Sequence, residues 1–144
     1  MTSKTEMILQ ALATLLDDNT SAKFERNASV PEKIPSEGLI ILRDGNPGVP
    51  DETLGGFDTV YYEHEVEIEI YVAEGKQSDR DTLFDTLVTE IGAALESVSG
   101  FENLIFGMTY ARPDVSIEII PGSHAIKSGT IDLVLDYESA TPLS

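Results

Sequence analysis

The chain has 144 residues, 9 basic against 26 acidic, and a formal net charge of −17, with no cysteine. The missing thiols exclude disulfides, thiolate metal centres and cysteine nucleophiles. The acidic balance argues against stable binding to nucleic acid, which needs a basic patch to neutralise phosphates, and against docking on anionic membranes. Solubility alone is the bland account of such a charge. The acids are threaded through predicted strands and helices and form no tail, so the chain is expected to fold, as one domain spanning 1–144.

Ser3–Asp17 reads as the first helix. Ser3 and Glu6 have capping-box spacing, and Met7, Ile8, Ala11, Leu12, Leu15 and Leu16 make one apolar stripe. The early Glu6 and the lack of a small-residue cleavage site favour a helix over a signal peptide. Lys23–Asn27 reads as a short strand. Pro31 and Pro35 then forbid regular structure, and Leu39–Arg43 is a short apolar run that fits a buried strand. The stretch 44–56, DGNPGVPDETLGG, is dense in Gly, Pro, Asp and Asn and is expected to be an extended loop or arm.

Tyr61–Ala73 alternates almost without fault. Tyr62, His64, Val66, Ile68, Ile70 and Val72 fall on one side; Tyr61, Glu63, Glu65, Glu67, Glu69 and Tyr71 fall on the other. Period two and β-branched residues predict one long strand with an apolar and an acidic face. Ser78 is the expected cap of a second helix. Its stripe is Leu83, Phe84, Leu87, Val88, Ile91, Ala94, Leu95 and Val98, and Gly100 is its stop. Strands are expected over Leu104–Arg112, Val115–Ile120 and Gly129–Tyr137, with a turn at Pro121-Gly122. A loose tail is expected over 138–144. Strands arrive in runs and do not alternate strictly with helices. The expected fold class is therefore α+β, a mostly antiparallel twisted sheet with two main helices packed on one face, plus the long Pro/Gly-rich loop.

Chemistry is sparse. His64 lies on the opposite face from its neighbouring glutamates, so one strand cannot aim them at a single ion, and no metal or cofactor is expected. The acids Glu63, Glu65, Glu67 and Glu69 stand roughly 7 Å apart. Paired carboxylates do acid–base work only when their environments differ, and an evenly solvated row offers no difference. No nucleophile elbow, P-loop or dinucleotide fingerprint occurs, and Pro47 removes a donor that a phosphate cradle in RDGNPG would use. No enzyme is expected.

Four strings give a resemblance. They are R-N-x-x-x-P-E-K-I-P at Arg26–Pro35, R-D-G-x-P-G ending at Gly48, Y-Y-E-H at Tyr61–His64 and S-x-R-D at Ser78–Asp81. With the N-terminal helix, this layout resembles the tail terminator (minor tail) proteins of long-tailed bacteriophages and phage-like gene transfer agents. The resemblance runs from about residue 1 to Tyr137.

It implies a structural virion protein, located at the head-proximal end of the tail and assembled in the host cytoplasm. Such proteins form a ring, usually hexameric, that caps the tail tube, stops its polymerisation and offers a docking surface to the head's neck proteins. The implied partners are further copies of the chain, the tube protein and the head–tail connector; DNA passes through without specific binding. Glu63, Glu65, Glu67 and Glu69 become candidate lumen acids. Asp44, Asn46, Pro47, Val49, Pro50 and Leu54 of the loop, with Tyr61 and Tyr71, become candidate interface residues. The alternatives are a head-completion protein at the same joint and a small acidic ligand-binding protein or enzyme.

Overall fold

The computed structural model describes residues 1–52, 59–98, 101, 103–119 and 124–144. Its elements are α1 (Lys4–Asn19), β1 (Lys23–Arg26), β2 (Leu39–Asn46), β3 (Asp51–Glu52), β4 (Val60–Val72), α2 (Gln77–Glu96), β5 (Gly107–Tyr110), β6 (Asp114–Glu118) and β7 (Ile126–Ser139). The strands form one sheet in the order β1-β2-β4-β7-β5, with β3 also on β4 and β6 also on β7. β1–β2 is parallel and every other pair is antiparallel. The fold is α+β, as the run of elements predicts.

β4 and β7 are the spine. Their ladder runs unbroken from Val60 opposite Ser139 to Val72 opposite Lys127. Tyr62, His64, Val66, Ile68, Ile70 and Val72 are all buried, and the intervening glutamates are not. Ile131, Leu133, Leu135 and Tyr137 of β7 continue this buried face. Ile8, Leu9, Leu12 and Leu16 of α1 and Phe84, Leu87, Ile91 and Leu95 of α2 close it in a single core. Both helices therefore cover one side of the sheet. Gly129 lets α2 come close: a Cβ there would stand 2.6 Å from Phe84 Cζ.

The other side is not wholly polar. Leu39 and Ile41 of β2 point to it and are buried by Ile34, with Tyr71, Ala73 and Ile126 around them. Pro31 and Pro35 keep this covering segment irregular, and Ile34 is its apolar anchor.

Several boundaries differ from expectation. α1 runs to Asn19; Ser3 accepts the Glu6 N–H at 3.2 Å, but the Glu6 carboxylate turns elsewhere. α2 opens at Lys76 without a side-chain cap, so Ser78 is not its cap. The start is tied instead by buried Arg80, whose Nη1 donates to the Glu74 carbonyl at 3.1 Å. The helix closes at Ser97; Gly100 lies outside the described residues. β5 begins only at Gly107, leaving Phe106 63% exposed, and β6 is exposed throughout. Ile120 and the Pro121-Gly122 turn are also outside the described residues.

The expected arm 44–56 is partly sheet. β2 continues through Asn46, and β3 takes the rest of the same β4 edge, opposite Val60 and Tyr61. Residues 53–56, Leu54 among them, lie outside the described residues. The tail is not loose throughout: β7 includes Glu138 and Ser139, and the Pro142 carbonyl accepts from Tyr62 Oη at 3.3 Å.

Candidate functional site

Two features occupy opposite sides of the sheet near the β2–β4 junction. The first is a bulge. Along β2 the pairing steps from Arg43 to Asn46 while β4 steps only from Glu67 to Glu65. The extra residue is absorbed at Asp44-Gly45, with Gly45 at φ +61°. A Cβ there would stand 2.0 Å from the Glu65 carbonyl oxygen, so only glycine fits. Asn27, also left-handed at φ 54°, ends β1, and its side-chain oxygen accepts the Asp44 N–H at 3.0 Å.

The bulge presents two groups of Asp44 to the helix side. Its carboxylate takes Arg26 Nε and Nη2, each at 2.8 Å, while Nη1 and Nη2 reach both Glu6 oxygens at 2.8 Å. One guanidinium thus clamps α1 and β2 together. The Arg26 hydrogen bonds hold Glu6 below the usual carboxylate range. Burial pushes Asp44 up, but the hydrogen bonds from Arg26 and Asn27 outweigh it and leave the carboxyl low. Glu6 and Asp44 in turn hold the Arg26 proton more tightly.

The Asp44 carbonyl accepts from His64 Nε2 at 2.6 Å. That fixes the chain of donors. Nε2 carries the hydrogen, so neutral Nδ1 accepts from Tyr137 Oη at 2.9 Å, and Tyr137 accepts in turn from Thr5 Oγ1 at 2.9 Å. His64 is 1% exposed, and burial lowers its pKa against the pull of the Asp44 carbonyl. Burial raises that of Tyr137. His64 is thus a satisfied core histidine. Of the four family-like strings, R-N, R-D-G and Y-Y-E-H meet at this one place. Their shared task here is to hold a bulge.

The second feature is the open face of the sheet. Glu63, Glu65 and Glu67 of β4 are exposed there. Register sets Asp136 beside Glu63, Asp132 beside Glu67 and Glu138 beside Tyr61. Asp114 and Glu118 of β6 continue the same face, opposite Thr130 and Ile126. Glu69 differs from its three neighbours. It accepts from Arg43 Nη2 at 3.2 Å and from Tyr71 Oη at 2.8 Å.

The candidate interface residues separate. Tyr61 is 37% exposed, and its ring centroid lies 5.6 Å from that of exposed Phe106, making an aromatic patch that alternation alone did not signal. Tyr71 is no exposed anchor. It is half-buried in the Ile34 cluster, and burial followed by the Glu69 bond pushes its hydroxyl up to about 12. Asn46 and Val49 are exposed, Val49 at 93%, while Pro47 and Pro50 are half-buried. Asp44 serves the clamp.

The clamp and the Tyr137–His64 chain escape sequence reading because their members lie on α1, β1, β2, β4 and β7. The one local hint is a buried-phase histidine, which needs two partners that no spacing identifies. Neither a family model nor a curated protein matches the chain.

Proposed function

We propose that the chain is the subunit of a ring that terminates a phage-like tail tube, with the acidic sheet face turned toward the central passage. The observation that carries this reading is the two-sided construction of the sheet. Helices cover one face, and Glu63, Glu65, Glu67, Asp132 and Asp136 are set out on the other. A wall of carboxylates repels phosphates, so a duplex passes without sticking. The resemblance supplies the ring, the tube and the neck proteins as partners.

The test is the mass of the purified protein over a range of concentrations and salts, with negative-stain images of the same fractions and of fractions mixed with tube protein. Rings, or tubes that stop growing once the protein is added, are the expected result. A protein that neither forms rings nor alters tube length refutes the reading. The lumen is tested separately by Glu63→Lys with Glu65→Lys and Glu67→Lys. Rings of this variant should retain duplex DNA that wild-type rings release, and the effect should fade with salt.

A further inference from the structure

Among the described residues the sheet ends in two open edges. β1 pairs only with β2, and β5 and β6 pair only with β7. Edge strands carry unpaired N–H and C=O groups, and natural proteins usually blunt them. β6 is not blunted on its helix side: Val115 and Ile117 are 45% and 53% exposed. Val115 sits opposite Gly129, under Phe84, so this row extends the core face beyond the reach of α2.

The two edges match. Register carries one row from Lys23 through Leu39, Tyr71 and Ser128 to Ser116, and the next from Phe24 through Ile40, Ile70 and Gly129 to Val115. The edges therefore lie at the same height. β1 runs against β4, whereas β6 runs with it. Turning a second copy about an axis along the strands brings its β1 antiparallel to β6. Its helices stay on the same side and its acidic face stays on the other.

We infer that β6 of one copy pairs with β1 of the next, so that the sheet runs on from subunit to subunit. The closure of this seam into a ring rests on the function proposed above. Strands in a closed sheet tilt and their register staggers, which selects the pairing. At level register Asp114 meets Glu25. A two-residue slip one way sets Pro113, which has no N–H, against Phe24. The slip the other way sets Glu118 against Lys23, Ile117 against Phe24, Ser116 against Glu25 and Val115 against Arg26.

In that arrangement every β1 residue is paired: on the helix side Ile117 meets Phe24 while Val115 lies against Arg26, and on the open side Glu118 meets Lys23 while Ser116 lies against Glu25. Lys23 is free to turn: its side chain is 55% exposed, and its present partner is Glu25 at 3.2 Å. Six copies would place about thirty strands at about 4.8 Å spacing, a bore of about 45 Å from backbone to backbone.

The experiment uses charge reversal at two exposed sites, Lys23→Glu and Glu118→Lys, with circular dichroism to establish that each variant folds. Wild type should associate with concentration, more readily at high salt, because copies of charge −17 repel. Each single variant should need at least about tenfold more protein to associate, since every seam then opposes like charges. An equal mixture of the two should recover wild-type association. In alternating copies every seam again joins opposite charges at positions 118 and 23, one seam keeping the native pair and the next carrying it reversed.

Single variants that associate like wild type, a mixture no better than its parts, or a wild type that stays monomeric throughout would each overturn the seam. Wild-type rings insensitive to both substitutions would remove the seam and leave the ring. Seam-dependent association into open filaments that ignore tube protein would remove the ring and leave the seam.

Discussion

Arg26→Met tests the clamp directly, because it keeps the length of the side chain and removes the fork. Four N–H···O contacts at 2.8 Å are lost. A buried charge-assisted hydrogen bond contributes about 1.5–3 kcal/mol. The side chains here are 24% exposed for Arg26, 28% for Asp44 and 38% for Glu6, so solvent screens the set. The Glu6 half then behaves as a surface pair of at most about 1 kcal/mol. With the better-shielded Asp44 half, the expected loss is about 2–3 kcal/mol at pH 7. For a domain of this size that is a fall of roughly 5–10 °C in Tm.

The pH dependence identifies the cause. Glu6 and Asp44 are both held low in the folded state, so their contribution is complete above their unfolded values near 4.5 and 3.8 and is lost as pH falls through the folded ones. Without Arg26 the two carboxylates only repel each other, and acid relieves that. The gap between wild type and variant should therefore shrink as pH falls through the folded values of the two carboxyls. Urea unfolding at pH 7 and pH 3 measures both points. A deficit under about 0.5 kcal/mol at pH 7, or one that does not shrink between pH 7 and pH 3, would refute the clamp and assign any loss to packing of the Arg26 stem.

Three further outcomes are expected. Gly45→Ala should cost more than about 2 kcal/mol, since the new Cβ meets the Glu65 carbonyl and the backbone is left-handed; a melt unchanged from wild type would mean that the bulge slides freely. Tyr137→Phe should cost about 1–3 kcal/mol by leaving His64 Nδ1 buried without a donor. Because His64 is depressed, its contribution is complete above its unfolded value of 6.5 and declines as pH falls through the folded one. Wild-type stability should therefore begin to drop below 6.5, which titration of the His64 ring by NMR can follow. Ile34→Ala should cost about 2–3 kcal/mol by uncovering Leu39 and Ile41, read by urea unfolding.

How much of this was legible in the sequence depends on the range of the interaction. β4 was legible because one face of it is core, and period two survives any detail of its partners. The helix stripes were legible for the same reason. β2 was cut short at Arg43 because Asp, Gly and Asn read as loop; here they build a bulge, which uses loop chemistry inside a strand. Tyr71 was misplaced because alternation gives the face of a residue but not what covers that face, and Ile34 arrives from a proline-rich segment with no periodicity. Ser78 looked like a cap by composition, but α2 opens two residues earlier, at Lys76, where buried Arg80 ties its first turn to the Glu74 carbonyl. The contacts among Thr5, Arg26, Asp44, His64 and Tyr137 had no signal beyond the buried phase of His64, since each depends on elements meeting from distant parts of the chain.

The long β4–β7 ladder has a kinetic consequence. Its two strands are separated by the whole of α2, β5 and β6, so loop closure precedes most of the stabilising contacts, a topology expected to fold more slowly than one built from local contacts. The same ladder sets Glu63 against Asp136 and Glu67 against Asp132, like charges side by side. The strands must approach against their own repulsion before the apolar face can zip shut behind them. Counterions screen that repulsion, so refolding should quicken with added salt by more than unfolding slows, and the acids on the open face then act on how fast the chain folds as well as on what it repels.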